Sequence, residues 1–347
     1  MAVGDDGIIY AAPYADDNVL ELDPITDIAT ITENVTSHGT GSQKWVGMIK
    51  ASNGKLYANP HGAAGGYLII DPTTDPINLD SVGAAYQVRG GAEVAGKIYS
   101  PRYSGTTPLD SLVVLDTASN TISTISYTVD RTGPIYSARP NWMLENIFGL
   151  YERYWGAVSG GNGKVYGIPY TSDRILIIDT VAGTAAQGAD TLSGNDPIPA
   201  EPDPIDADNG PFWAKYNEGV LSSINGKIYS MPRHAKSILK IDPVDDSAVE
   251  IPLPPPLDGF PLLSKSFSTV EGPDGRIYST PWQLPYLFWI DPVDDSIGQI
   301  DVSAAMLAEP AVNNYWTYAE TVGAAIYFAP GTARNILKVI PANFPLA

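Results

Sequence analysis

Hydrophobic positions in this chain fall into short β-branched and aromatic runs, punctuated by Asn-Gly, Asp-Gly and Asp-Pro pairs. One unit recurs from end to end. It reads DGIIYAAPY from Asp6, NGKLYANPH from Asn53, AGKIYSPRY from Ala95, NGKVYGIPY from Asn162, NGKIYSMPR from Asn225, DGRIYSTPW from Asp274 and GAAIYFAPG from Gly323. Each copy leads into a second apolar run that closes on a turn: VLELDP, YLIIDP, LVVLDT, ILIIDT, ILKIDP, LFWIDP and ILKVIP. A repeat of this size, present seven times, marks an array of similar supersecondary units.

The unit reads as strands. An Asn-Gly or Asp-Gly pair supplies the positive φ that a tight hairpin needs, and the flanking residues are those that suit a pleated surface. We label this pair the turn between strands A and B. The Ile-Tyr phrase is then strand B, whose proline is expected to end it because proline cannot donate to the ladder. The Ile-Leu-Ile run is strand C, and Asp-Pro opens the turn into strand D, the exposed outer strand. The marker tyrosines, Tyr10, Tyr57, Tyr99, Tyr166, Tyr229, Tyr278 and Tyr327, are spaced 42 to 67 residues apart, and the shorter spacings are the length of one four-stranded propeller blade. The fold class expected is therefore all-β: a seven-bladed β-propeller, four antiparallel strands per blade, with residues 1–347 as one domain. Only Met1 to Val3 precede the first turn, so the first or last blade should carry a shortened strand and close weakly.

Trp45, Tyr86, Trp155, Phe267 and Trp316 precede the marker tyrosines and are expected to pack between blades. Two long spacings predict inserted loops at about 126–154 and 190–210. The first holds PNWMLENIFGLYERYW, with Asn141 as a possible helix cap. The second holds Asp190, Asp196, Glu201, Asp203, Asp206 and Asp208 with no basic residue, and reads as a solvated acidic loop. Asp206, Asp208 and Asn209 before Gly210 suggest a calcium loop as the lesser alternative, although their order does not match the EF-hand type.

The charge balance changes the functional picture. A formal net charge of −19 repels phosphate backbones and anionic headgroups, which argues against nucleic acid and membrane surfaces as partners. No apolar run is long enough to span a bilayer, and no secretion signal is visible at the start. The absence of cysteine removes disulfides, thiolate nucleophiles and cysteine-based metal sites.

The repeats resemble the NGKIY…P…ILxIDP propeller repeats, loosely Kelch-like or surface-layer-like, of bacterial and algal proteins and of phage and large-virus virions. The resemblance implies the propeller fold and points toward a virion or extracellular-surface protein, with a cytoplasmic location as the alternative.

Chemistry is sparse. The three histidines are His38, His61 and His234, and the repeated Gly-Lys pairs lack the spacing of a phosphate loop. No catalytic set, metal site or cofactor is indicated. In a propeller the B-to-C and D-to-A connections share a face, so the position four residues after each marker tyrosine lies there with both insertions. It holds Tyr14, His61, Tyr103, Tyr170, Arg233, Trp282 and Gly331. The first six are the candidate partner-binding residues, since flat rings with polar edges suit sugars and peptides, although packing between blades would use the same residue types. The reading is a non-catalytic binding or assembly module whose partners are proteins of a larger assembly or a cell-surface glycan. The alternative is a hydrolase or lyase acting on a lactone, glycan or peptide.

Overall fold

The computed structural model describes residues 1–41, 43–62, 65–74, 78–83, 86–104, 110–130, 154–193, 214–259, 263–307, 315–333 and 335–341. Most of both expected insertions lies outside these residues. Within them, twenty-eight strands form seven antiparallel sheets, each built from consecutive strands in chain order. The protein is a seven-bladed β-propeller. The first blade runs Ala2–Val3, Ile9–Ala11, Asn18–Asp23 and Ile28–Asn34 from axis to rim, and the next five follow the same A-B-C-D order. Described strands of the seventh blade number three: Trp316–Val322, Ala325–Pro330 and Leu337–Val339. The two-residue first strand, Ala2–Val3, is the shortened strand expected in the first blade.

One expectation needs correcting. Strand B ends on its proline at Pro60, Pro169 and Pro330, as expected, but in the third blade Lys97–Ser104 runs on past Pro101. Proline forfeits only a donor, and its carbonyl and the residues after it remain free to pair. Beyond Pro101 the strand bulges and takes up an extra short strand, Gln87–Val88.

A twisted sheet has two faces, and each blade covers its own with its neighbours. Seven hydrophobic clusters accordingly lie in the seven gaps between blades. The gap between blades 2 and 3, for example, joins Tyr57, Tyr67 and Ile69 to Ile98, Val113 and Leu115. The gap that closes the ring is the leanest, with Met1, Ile9 and Leu22 against Ala325, Tyr327 and Ala329.

Every marker tyrosine is buried, and four of them tie their blade to the next one. The Tyr166 hydroxyl donates to Asp246 Oδ1 at 2.6 Å, while Asn162 of the Asn-Gly turn donates to the Pro243 carbonyl at 2.7 Å. The same clamp joins Tyr57 and Asn53 to the Thr117 carbonyl, and Asn225 to the Pro292 carbonyl with Tyr229 reaching Asp295. Across the seam, Tyr327 donates to the Pro24 carbonyl and to Asp27 at 3.1 Å, and Lys338 bonds Asp27 at 2.7 Å. Asp27, Asp246 and Asp295 adopt positive φ in the C-to-D turn, a conformation that Asp and Asn tolerate better than most residues. One residue thus shapes the turn and receives the neighbouring blade.

Replacing Tyr166 with Ala should cost about 3–5 kcal/mol, and with Phe about 1–2 kcal/mol, because the first removes a core ring and the second only its hydrogen bonds. Urea unfolding measures both, and a loss under about 1 kcal/mol for the Ala variant would remove strand B from the core. Tyr327→Phe should speed amide exchange in blades 1 and 7 before blades 3 to 5, since it weakens the leanest gap.

Candidate functional site

The face bearing the B-to-C connections is organised by a hydrogen-bonded belt. Tyr14 accepts from the Lys44 backbone N–H at 2.7 Å, and the Lys44 carbonyl accepts from His61 at 2.9 Å. Tyr170, Lys215, Arg233 and Lys265 continue the pattern across blades 4, 5 and 6, with each link at 2.7 Å. The belt satisfies backbone groups that a loop-rich surface would otherwise leave to water. Its lysines are buried and spend their charge on carbonyl oxygens: Lys44 Nζ reaches the Gly41 carbonyl and Asp17, Lys215 Nζ the Leu192 carbonyl, and Lys265 Nζ the His234 carbonyl, all at 2.9 Å.

Strand pairing decides which side chains reach the axis. Pairings against strand B place Val46, Arg89, Trp155, Asn217, Phe267 and Thr317 at one equivalent position of strand A. The residue before it, which is Trp45, Tyr154, Tyr216 or Trp316, turns into the gap between blades, because successive side chains in a strand point oppositely. The expectation of inter-blade packing therefore holds for Trp45 and Trp316, whereas Trp155 and Phe267 join a cluster that bridges several blades.

That cluster plugs the axis. Phe267 stacks on Trp282 at 4.5 Å, Trp282 stacks on Tyr315 at 4.0 Å, and Trp155 meets Tyr170 at 4.9 Å and the edge of Phe267 at 5.4 Å. The Arg89 guanidinium lies 4.0 Å over Trp155, and Arg233 sits within 5.8 Å of Trp155, Tyr170 and Trp282. A guanidinium held among ring faces gains from their quadrupoles as well as from burial.

The six sequence candidates thus divide. Tyr170, Arg233 and Trp282 converge on the plug and are almost fully buried, with Trp282 6% exposed. His61 is buried in the belt beside Tyr14, whose ring is 5.6 Å away and 44% exposed. The backbone of Tyr103 lies in strand B of the third blade, and its side chain lies outside the described residues. The two histidines are held neutral. Burial first, and the Arg89 charge second, pushes His61 down to about 3, while burial and the charges of Arg233 and Lys265 lower His234, whose Nε2 lies 2.9 Å from Ser264 Oγ.

Beneath the plug the axis is polar. A cavity of about 110 Å³ is lined by Met48, Ile49, Asn59, Gly90, Gly91, Ala157, Glu218 and Gly219. Burial, opposed by the Met1 amino group and reinforced by Glu320, raises Glu218 to about 8, and burial raises Glu320 to about 7. Neither glutamate, nor Asn59, Arg89 or the plug residues Tyr315 and Tyr318, stood out in the sequence. The available signal was a charged residue inside strand A, at YNEGVL and YAETVG, where most copies carry apolar or small residues. Among the described residues, His, Asp and Glu nowhere gather in groups of three suited to a metal ion, and no helix is long and apolar enough to cross a membrane.

No protein-family model and no curated protein sequence matches the chain. Solved structures do. A catalytically inactive virginiamycin B lyase from Staphylococcus aureus, with quinupristin, is similar over 95% of this chain and 90% of its own, with a TM-score of 0.63 at 12% identity. The β-propeller domain of Cps50 (Swd1) from Myceliophteria thermophila is similar over 97% and 94%, with a TM-score of 0.59 at 9% identity. A chain of the mitotic checkpoint complex is similar over 94% and 82%, with a TM-score of 0.56 at 12% identity. At these identities the likeness establishes the fold, and the fold serves a lyase and a protein complex alike.

The lowered His61 pKa has a signed consequence. Between about pH 6.5 and 3 the unfolded chain holds a proton on this residue that the folded chain does not, so the residue's contribution to stability falls as pH drops through that window. The two axial glutamates, with raised pKa values, act in the opposite direction, so the readout is a difference between proteins. From pH 7 to pH 5 wild type should lose about 1–2 kcal/mol relative to His61→Gln in urea unfolding. A difference that does not change with pH would mean that this ring titrates normally.

Proposed function

We propose that this propeller is a non-catalytic binding and assembly module, a structural or receptor-type component of a larger particle of the virion kind or of an extracellular surface, with another protein or a glycan as partner. The observation that carries the reading is the plugged axis. Trp155, Phe267, Trp282, Tyr170 and Arg233 fill the mouth, and the cavity beneath, about 110 Å³, falls short of the roughly 300 Å³ at which small-molecule pockets begin. A partner then meets the rim and the loops around the plug. Seven packed gaps, four of them clamped by a marker tyrosine, make a stiff disc, and loops carried on such a scaffold are where recognition resides. The acidic surface keeps such a component soluble before it assembles.

The opposite face supplies the competing surface for the test. Ile25, Val181, Val244 and Val293 stand almost fully exposed at equivalent places in the C-to-D turns of four blades. Hydrogen exchange on the protein in its native particle, compared with the isolated chain, should protect segments around Tyr14, His61, Tyr170, Arg233 and Trp282. Protection centred on Ile25, Val181, Val244 and Val293 would move the interface to the turn face. Native protein recovered free of any particle, and turning over lactone, glycan or peptide substrates, would replace this reading with an enzymatic one.

A further inference from the structure

The axial cavity presents a second, separate chemistry. Its polar donors come from different blades: Asn59 from strand B of blade 2, and Glu218 from the start of blade 5. Asn59 is 1% exposed, and neither its carboxamide oxygen nor its nitrogen has a hydrogen-bond partner in the protein. Asn217, next to Glu218 and wholly buried, is in the same condition. Buried amides without partners are uncommon in folded proteins and call for a ligand, an ion or ordered water.

Space has been kept open around the carboxylate. Pairing aligns Glu218 with Gly47, Gly90 and Gly156, the bulge position of strand A, and all three glycines have positive φ. Glu218 has φ 47° at this position, where the three preceding blades use glycine, so the carboxylate sits there against the backbone preference. A methyl group at Gly90 would stand 3.0 Å from Glu218 Oε1, and one at Gly47 would stand 3.3 Å from Asn59 Nδ2. The glycines thus leave both side chains their room.

We infer that this cavity is a site for a hard divalent cation of the calcium type, held by the Glu218 carboxylate and the Asn59 carboxamide oxygen with water completing the shell. The donors are oxygens, which suit such ions, and the lining offers no imidazole or thiolate for a softer one. At roughly 10–15 Å³ per water centre, the cavity has room for several waters around an ion. Glu320 lies close enough to raise the Glu218 pKa and the Met1 amino group opposes that rise, so a bound cation takes the place of a proton on the Glu218 carboxyl. The sequence did not point to this pair because the two residues are 159 positions apart and meet only when the ring closes. The inference is independent of the binding face proposed above.

The test uses the full chain after chelator treatment, titrated with Tb³⁺ under tryptophan excitation and then competed with Ca²⁺. The expected result is one saturable luminescent component, displaced by Ca²⁺, at least tenfold weaker in Glu218→Gln and clearly weaker in Asn59→Leu. An Asp206→Asn, Asp208→Asn double variant, which alters the acidic insertion, should leave it unchanged. Thermal unfolding establishes that each variant is folded, and Asn59→Leu, which leaves the carboxylate in place, serves where Glu218→Gln is not. No saturable component, equal binding in wild type and both cavity variants, or loss in the acidic-insertion variant would each overturn the site. The first of these outcomes leaves water alone as the occupant.

Discussion

Seven of the cores in this protein are interfaces between two blades, and in four of those gaps the contact that joins the blades is the tyrosine clamp. A blade alone would expose both faces of a twisted sheet. The marker tyrosine covers part of one face with its ring and passes its hydroxyl to the turn of the next blade, a division of labour that suits an amphipathic aromatic. The asparagine of the Asn-Gly turn adds a second bond to the same turn in three of the gaps. The acceptor aspartate holds the left-handed conformation that closes the C-to-D hairpin, so local turn chemistry and the joint between blades are set by one side chain.

The seam is closed by the same means. Ala2–Val3 pairs within its own blade, and among the described residues no strand is shared between the first and last blades. Tyr327 and Lys338 reach Pro24 and Asp27 as Tyr166 and Lys164 reach Pro243 and Asp246. A repeat protein closed by side chains depends on those bonds more than one closed by a shared strand, because the alanine-rich seam has less apolar contact with which to replace them.

The inner edge of the ring obeys a different rule. Bulges in strand A at Gly47, Gly156 and Tyr318 turn the chain close to the axis, and a single step along the strand moves a ring from the blade gap to the centre. This is why Trp45 and Trp155, so alike in sequence context, serve different purposes. The aromatic plug and the polar cavity beneath it are both products of this edge.

The sequence by itself determined the elements, their order and the burial of the seven tyrosines. Turn pairs, β-branched runs and the repeat are local properties, and each copy states them again. It also placed Tyr14, His61, Tyr170, Arg233 and Trp282 on one face, because four antiparallel strands send alternate connections to the same side. The tertiary structure decided what those residues meet. Tyr170, Arg233 and Trp282 come from successive blades and become neighbours only at the narrow end of the wedge each blade forms, where rings from the whole circumference share one small volume. Asn59, Glu218 and Glu320 were missed for the same reason. A charge inside strand A marks the two glutamates locally, but their meeting with Asn59 depends on radial distance, which a linear pattern does not encode.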